Sequence, residues 1–167
     1  YEIPKRDWSS DVCSSDLCCL AWGVLGRQPW DLPKIRTAFE TALRLNPDAG
    51  PPHAVYGAIV YGVMLWNWPL AEAECRKAAE LAPREGHVWS CYGILLSAMG
   101  RHEEAITMHR RAVELDPVSP FWNAWLIAGL LPTRDWEEAL RETDRTLARS
   151  EEHTSELQSR FGISYAV

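Results

Sequence analysis

The chain is short of everything a membrane protein, a disulfide scaffold or a nucleic-acid-binding domain needs. Its longest apolar stretches fall well below the roughly 18 residues of a membrane span, and its opening residues carry no signal-peptide pattern. Five cysteines among 167 residues, irregularly placed, are too few for a disulfide framework. They read as reduced, packed thiols, so a reducing and cytoplasmic setting is expected. Basic residues are outnumbered, 17 Lys and Arg against 23 Asp and Glu, which leaves a net charge of −6 and argues against a nucleic-acid surface. Glycines occur singly, so no glycine-rich phosphate loop exists.

What is present is a repeat. Ala71, Ala105 and Ala139 lie 34 residues apart, as do Ala78 and Ala112, Leu81 and Leu115, and Pro83 and Pro117. Ala42, Leu45 and Pro47 fit one unit earlier at a spacing of 36. Small residues at fixed helical positions let two backbones approach, and a proline after each second helix stops it. Gly100 suits the left-handed turn that ends a helix. Trp89, Gly93, Gly100, Ala105, Ala112 and Pro117 together resemble the tetratricopeptide repeat, a pair of antiparallel helices. The resemblance implies an all-α, right-handed superhelical solenoid of about three and a half units, near 18–51, 52–85, 86–119 and 120–148.

The expected helices are 18–26, 32–46, 52–66, 69–82, 86–99, 103–116, 120–131 and 135–148, with no strand. Asp31 is placed to cap the second of these, with Pro33 in its first turn, and Ser119-Pro120 is a cap and first-turn pair. Asp135 with Glu138 makes a capping box. Gly57 to Ala71 spans 14 residues where Gly93 to Ala105 spans 12, which predicts a first helix longer by two residues in the second unit, ending at the Trp66-Asn67-Trp68-Pro69 turn. That turn and its neighbours, 66–74 and 78–83, are similar to the repeat region of bacterial signalling and regulatory proteins.

The two ends read differently. Residues 7–17 and 149–159 resemble translations of one DNA-sequencing adapter and of its reverse complement. The flanking 163–167 and 1–2 match the adapter's next constant stretch, and the index codons between agree at every base that both fix. Residues 1–17 and 149–167 are therefore read as adapter-derived tails around a 131-residue repeat segment, 18–148, of net charge −3. Glu and Leu follow the last repeat helix with no Pro or Gly stop, so helix is expected to run into the second tail.

Candidate chemistry is thin. His102-Glu103-Glu104 lacks the second histidine of a zinc-protease helix, because Ile106 stands there. Cys18 and Cys19 are adjacent and diverge on a helix, while Cys75 and Cys91 are single thiols at core spacing. His53, His87 and His109 fall in three different helices, and no nucleophile has a partner. No catalytic site, cofactor or metal is expected. His109 holds the usual aromatic position of a second helix and reads as packing, and the tryptophans read as core or turn residues, with Trp122 and Trp125 set apart as groove candidates.

The resemblance implies a concave face lined by first helices. It comprises Ala54, Ala58 and Tyr61, then His87, Ser90, Ile94 and Ser97, then Phe121, Trp125 and Ala128. The carboxylate-gripping Lys, Arg and Asn of the chaperone-binding subfamily are missing from it. The implied ligand is a protein or peptide, or another domain of a parent chain, with no nucleic acid and no membrane.

Overall fold

The computed structural model describes residues 32–161. The helix expected at 18–26, Cys18, Cys19, the Asp31 cap and the tail 1–17 lie outside them. Among the described residues there are seven helices and no strand. They are α1 (Leu32–Leu45), α2 (Gly50–Val55, continuing through Tyr56–Met64), α3 (Trp68–Leu81), α4 (Gly86–Ala98), α5 (His102–Leu115), α6 (Pro120–Leu130) and α7 (Trp136–Phe161). Short turns join them, and within each of two compact units consecutive helices pack on one another as antiparallel hairpins. The chain divides into two compact units at Pro83 and Arg84.

In the first unit the core is built on Phe39, Ala42, Val55, Val60, Ala71, Cys75 and Ala78, all fully buried. Ala71 meets Gly57 across the α2–α3 crossing. A Cβ at Gly57 would lie 2.8 Å from the Glu74 Cβ and 2.9 Å from the Ala71 carbonyl oxygen, so only hydrogen fits between these two backbones. His53 closes the unit at the other end of α2. One ring nitrogen faces the Pro47 carbonyl at 2.8 Å and the other the Glu74 carboxylate at 2.5 Å.

In the second unit Ile106, Leu126, Leu130 and Ala139 form one cluster, with Val113 packed against it. Ala105 and Ala112 are fully buried beside it. All six repeated alanines, Ala42, Ala71, Ala78, Ala105, Ala112 and Ala139, are thus inside. Asn123 repeats the tie made by His53 to a proline six residues earlier: its Nδ2 donates to the Pro117 carbonyl at 3.1 Å and to that of Ser119 at 2.7 Å.

Three local expectations are corrected. The two surplus residues of α2 are present as expected, Gly50–Met64 against Gly86–Ala98, but they do not extend a regular α-helix. They widen it, because Tyr56–Met64 is a π-helix, in which each bond reaches five residues back rather than four. Gly57 to Trp66 spans nine residues where Gly93 to Gly100 spans seven, so both extra residues fall within that wide segment. The widening persists into the turn: Asn67 N–H reaches back to the Tyr61 carbonyl at 2.7 Å, six residues, where Arg101 reaches back five, to Leu96. Second, Ser119 makes no side-chain cap. Third, only half of the capping box forms. Asp135 accepts from the Glu138 N–H at 3.1 Å, but the Glu138 carboxylate turns to Arg110, 2.5 Å away. Asn67 caps α3 at the Trp66–Pro69 turn, and α7 runs on past residue 148, as expected.

Gly100 is left-handed, with φ of +77°, as its role requires. Trp66 and Arg134, 34 residues before and after it, share that conformation at +55° and +62° without being glycine. The turn geometry therefore belongs to the repeat, and the two side chains bear about 1 kcal/mol of strain each. Arg134→Gly should relieve it and raise stability by about 0.5–1 kcal/mol, part of the gain being offset by the freer unfolded chain. Gly57→Ala should lower stability by about 1–2 kcal/mol, because backbone atoms of α3 must move and better helix propensity returns only about 1 kcal/mol. Urea midpoints of the two variants against the unchanged chain measure both.

Candidate functional site

The aromatic residues of α6 organise the second unit's share of the candidate face. Phe121, Trp122 and Trp125 lie at positions i, i+1 and i+4, on one side of a helix. Phe121 is 44% exposed and meets Trp122 and Trp125 edge-on, with centroids 5.0 and 6.2 Å away. Trp122 stacks on His87 at 5.7 Å, and Trp125 stacks on His109 at 6.2 Å. Each tryptophan is therefore held flat by a histidine behind it, and Phe121 stands over both. Ser97 is half-buried and Ala128 exposed, whereas Ser90 and Ile94 are inside.

In the first unit Ala54 and Ala58 are fully buried, because their short side chains end at the helix crossing. Tyr61 alone of that trio is partly open, its ring edge-on to Tyr56 at 4.8 Å. Burial, with the Tyr61 phenol beside it, pushes the Tyr56 hydroxyl up to about 12. Of the ten candidates, Phe121 and Ala128 are exposed and Tyr61, His87, Ser97 and Trp125 half-buried, while Ala54, Ala58, Ser90 and Ile94 are covered. Trp122 belongs with the accessible set, and the aromatic spacing Phe121, Trp122, Trp125 was the signal for it.

The remaining chemistry is structural. Cys75 is buried, its thiol is pushed up to about 12 by desolvation, and it leans on the Ala54 carbonyl at 3.7 Å. Cys91 is also a free, buried thiol. No group of three or more His, Cys, Asp or Glu side chains among the described residues could hold a metal ion. A shallow depression of about 400 Å³ is lined by Trp89, Met108, Arg110 and Arg111. Its arginines are already engaged, Arg110 by Glu138 and Arg111 by Glu114. No helix of the described residues is long and apolar enough to cross a membrane.

His109 is the fixed point of the aromatic group. It is fully buried, and its ring fills the space over Gly93, where a Cβ would lie 2.5 Å from the imidazole, and over Gly129. The ring serves as an apolar slab, and neither ring nitrogen has a hydrogen-bond partner. Desolvation lowers His109 to about 4, and His87 likewise. The folded unit thus keeps His109 neutral, while the unfolded chain protonates near pH 6.5. Stability should be complete above about pH 6.5 and fall on acidification toward pH 4, by on the order of 2–3 kcal/mol from this residue. His109→Phe should raise stability by about 1 kcal/mol at neutral pH, since two unpaired nitrogens leave the core, and should flatten that slope. Urea unfolding at a series of pH values, with and without the substitution, measures the difference.

No protein-family model and no curated protein matches the chain. Solved structures do. A chain of the Naa15/Naa10 assembly bound to HypK-THB superposes with a TM-score of 0.70 at 19% identity, over 83% of this chain and 20% of that one. PilF of Pseudomonas aeruginosa gives 0.66 at 23% identity, over 83% of this chain and 61% of its own. MamA of Desulfovibrio magneticus RS-1 gives 0.61 at 18%, over 83% and 76%. The chain spans a fifth of the length of the first and about three fifths of the second. These are tetratricopeptide-repeat proteins, and the chain shares their fold of stacked helical pairs.

Proposed function

We propose that the chain is a non-catalytic protein-interaction scaffold, a repeat module of a larger signalling or regulatory protein. The observation that supports this reading is the aromatic shelf of α6. Phe121 is exposed over Trp122 and Trp125, and both tryptophans are pre-set by histidine stacking. Rigid aromatic anchors that lose little freedom on binding are the usual carriers of interface affinity. The shelf is apolar, so the ligand that suits it is an amphipathic helix or an extended peptide offering apolar side chains. The likeness to a chain seen bound to HypK-THB agrees with a protein ligand. Under this proposal segment 18–148 does the binding, the flanks are adapter-derived, and the setting is cytoplasmic.

Packing of the same module on a neighbouring domain of its own parent chain is the second reading. The same shelf favours it, because an intramolecular ligand would cover the same residues.

Affinity capture on the full chain, followed by titration of the captured partner, tests the proposal. Phe121→Ala and Trp125→Ala should each weaken binding about 10-fold or more, while Leu45→Ala, exposed on the first unit, should leave it unchanged. Equal affinity of all three variants would show that the shelf is not the binding surface.

A further inference from the structure

Both ring nitrogens of His109 are buried and have no hydrogen-bond partner, and the ring is enclosed by backbone on two sides and a side chain on a third. A Cβ on Gly93 of α4 would lie 2.7 Å from either nitrogen, and one on Gly129 of α6 would lie 3.2 Å from the ring's Cδ2. Neither wall moves unless a helix moves. The third side is the indole of Trp125, stacked on the imidazole at 6.2 Å with 15° between the planes. It is half-buried and turns on its own side-chain torsions. The surroundings hold no group that would share a positive charge. α4 offers His87, Cys91 and Tyr92 as titratable groups and no carboxylate, and α6 offers none. On α5 itself the residues one turn to either side, Ala105, Ile106, Ala112 and Val113, are apolar, and His102 and Glu103 sit in its first turn, seven and six residues away. The other charges of α5 are engaged elsewhere: Glu104 with Arg101, Arg111 with Glu114, and Arg110 with Glu138 of α7.

We propose that Trp125 is a lid kept shut over the neutral ring of His109, so that the aromatic shelf is assembled at neutral pH and opened by acid. This regulates the shelf and rests, for its use, on the binding reading above. Covered, His109 takes a proton only near pH 4, because desolvation penalises its charge. Uncovered, it regains its ordinary value near 6.5. The uncovered ring therefore binds more protons between those two values, and falling pH favours it. Across the whole gap the ratio of open to closed rises by at most about 300-fold, tenfold for each pH unit. Of the three sides only the indole's yields without parting helices, so the imidazolium reaches water through the space that Trp125 leaves. Phe121 then loses one of its two edge-on contacts, and Trp122 is left without its neighbour at the shelf. The cluster of Ile106, Leu126, Leu130 and Ala139 is not called on to move. Opening is thus the folded unit's alternative to unfolding in acid.

The test uses the full chain, without ligand, labelled with 5-fluorotryptophan and followed by fluorine NMR. Trp125→Phe assigns the Trp125 signal. Between pH 7 and 4.5 that signal should move toward its solvent-exposed position while the helical circular dichroism is retained. In His109→Phe it should stay in place. In Trp125→Ala the ring signals of His109 in proton NMR should titrate at least one pH unit higher than in the unchanged chain, a result that stands even where His109→Phe fails to fold. A Trp125 signal that stays still, that moves only as helicity is lost, or that moves equally in His109→Phe would overturn the inference. So would the same His109 titration with and without the indole. None of these measurements involves a partner, so they succeed or fail independently of whether the shelf binds one.

Discussion

The structure depends on how closely two helix backbones can approach. At the α2–α3 crossing the distance is set by Gly57 and Ala71, where a single added carbon would meet main-chain atoms. Every repeated alanine is buried for the same reason. When rods are this close, the apolar side chains beside the crossing are sealed without voids, and packing supplies the stability that short helices lack alone. The second unit solves the crossing differently. Gly93 and Gly129 leave room that a whole imidazole fills, so His109 does with a ring what Ala71 does by nearness. That exchange explains why the unit carries an unsatisfied, acid-sensitive group at its centre and the first does not.

The two buried histidines show how context assigns a role to one residue type. His53 has a hydrogen-bonding oxygen at each nitrogen. His109 has none and is held neutral. The sequence pattern assigned His109 to packing from its position on the second helix, and that reading agrees with its burial. Nothing in the pattern distinguished His53, because its partner Glu74 lies 21 residues away on the next helix.

Other features were legible to the extent that one residue type betrays them. Gly100 announced its left-handed turn, but Trp66 and Arg134 adopt the same backbone without being glycine, so only the 34-residue register could have located them. The spacing of Gly57 and Ala71 revealed two extra residues in the second repeat but not the hydrogen-bond pattern that houses them. Capping was half legible, since a carboxylate such as Glu138 chooses between a backbone N–H and a neighbouring guanidinium, and Arg110 comes from another helix. On the candidate face, the aromatic side chains reach the surface because they are long enough to emerge from the crossing. Ala54, Ala58 and Ser90 share the helical phase of the face yet end beneath it.

The wide segment of α2 has a consequence for how this repeat tolerates change in length. An inserted or deleted residue in a regular helix rotates everything beyond it by about 100° and would swing an apolar stripe away from its seat. Over Tyr56–Met64 the surplus is already taken up by broader turns, while the Gly57 contact before it and the left-handed stop at Trp66 after it keep their places. That stretch is a length buffer between two fixed points, and it marks where a tandem array of this kind can gain or shed a residue without losing the register of its neighbours.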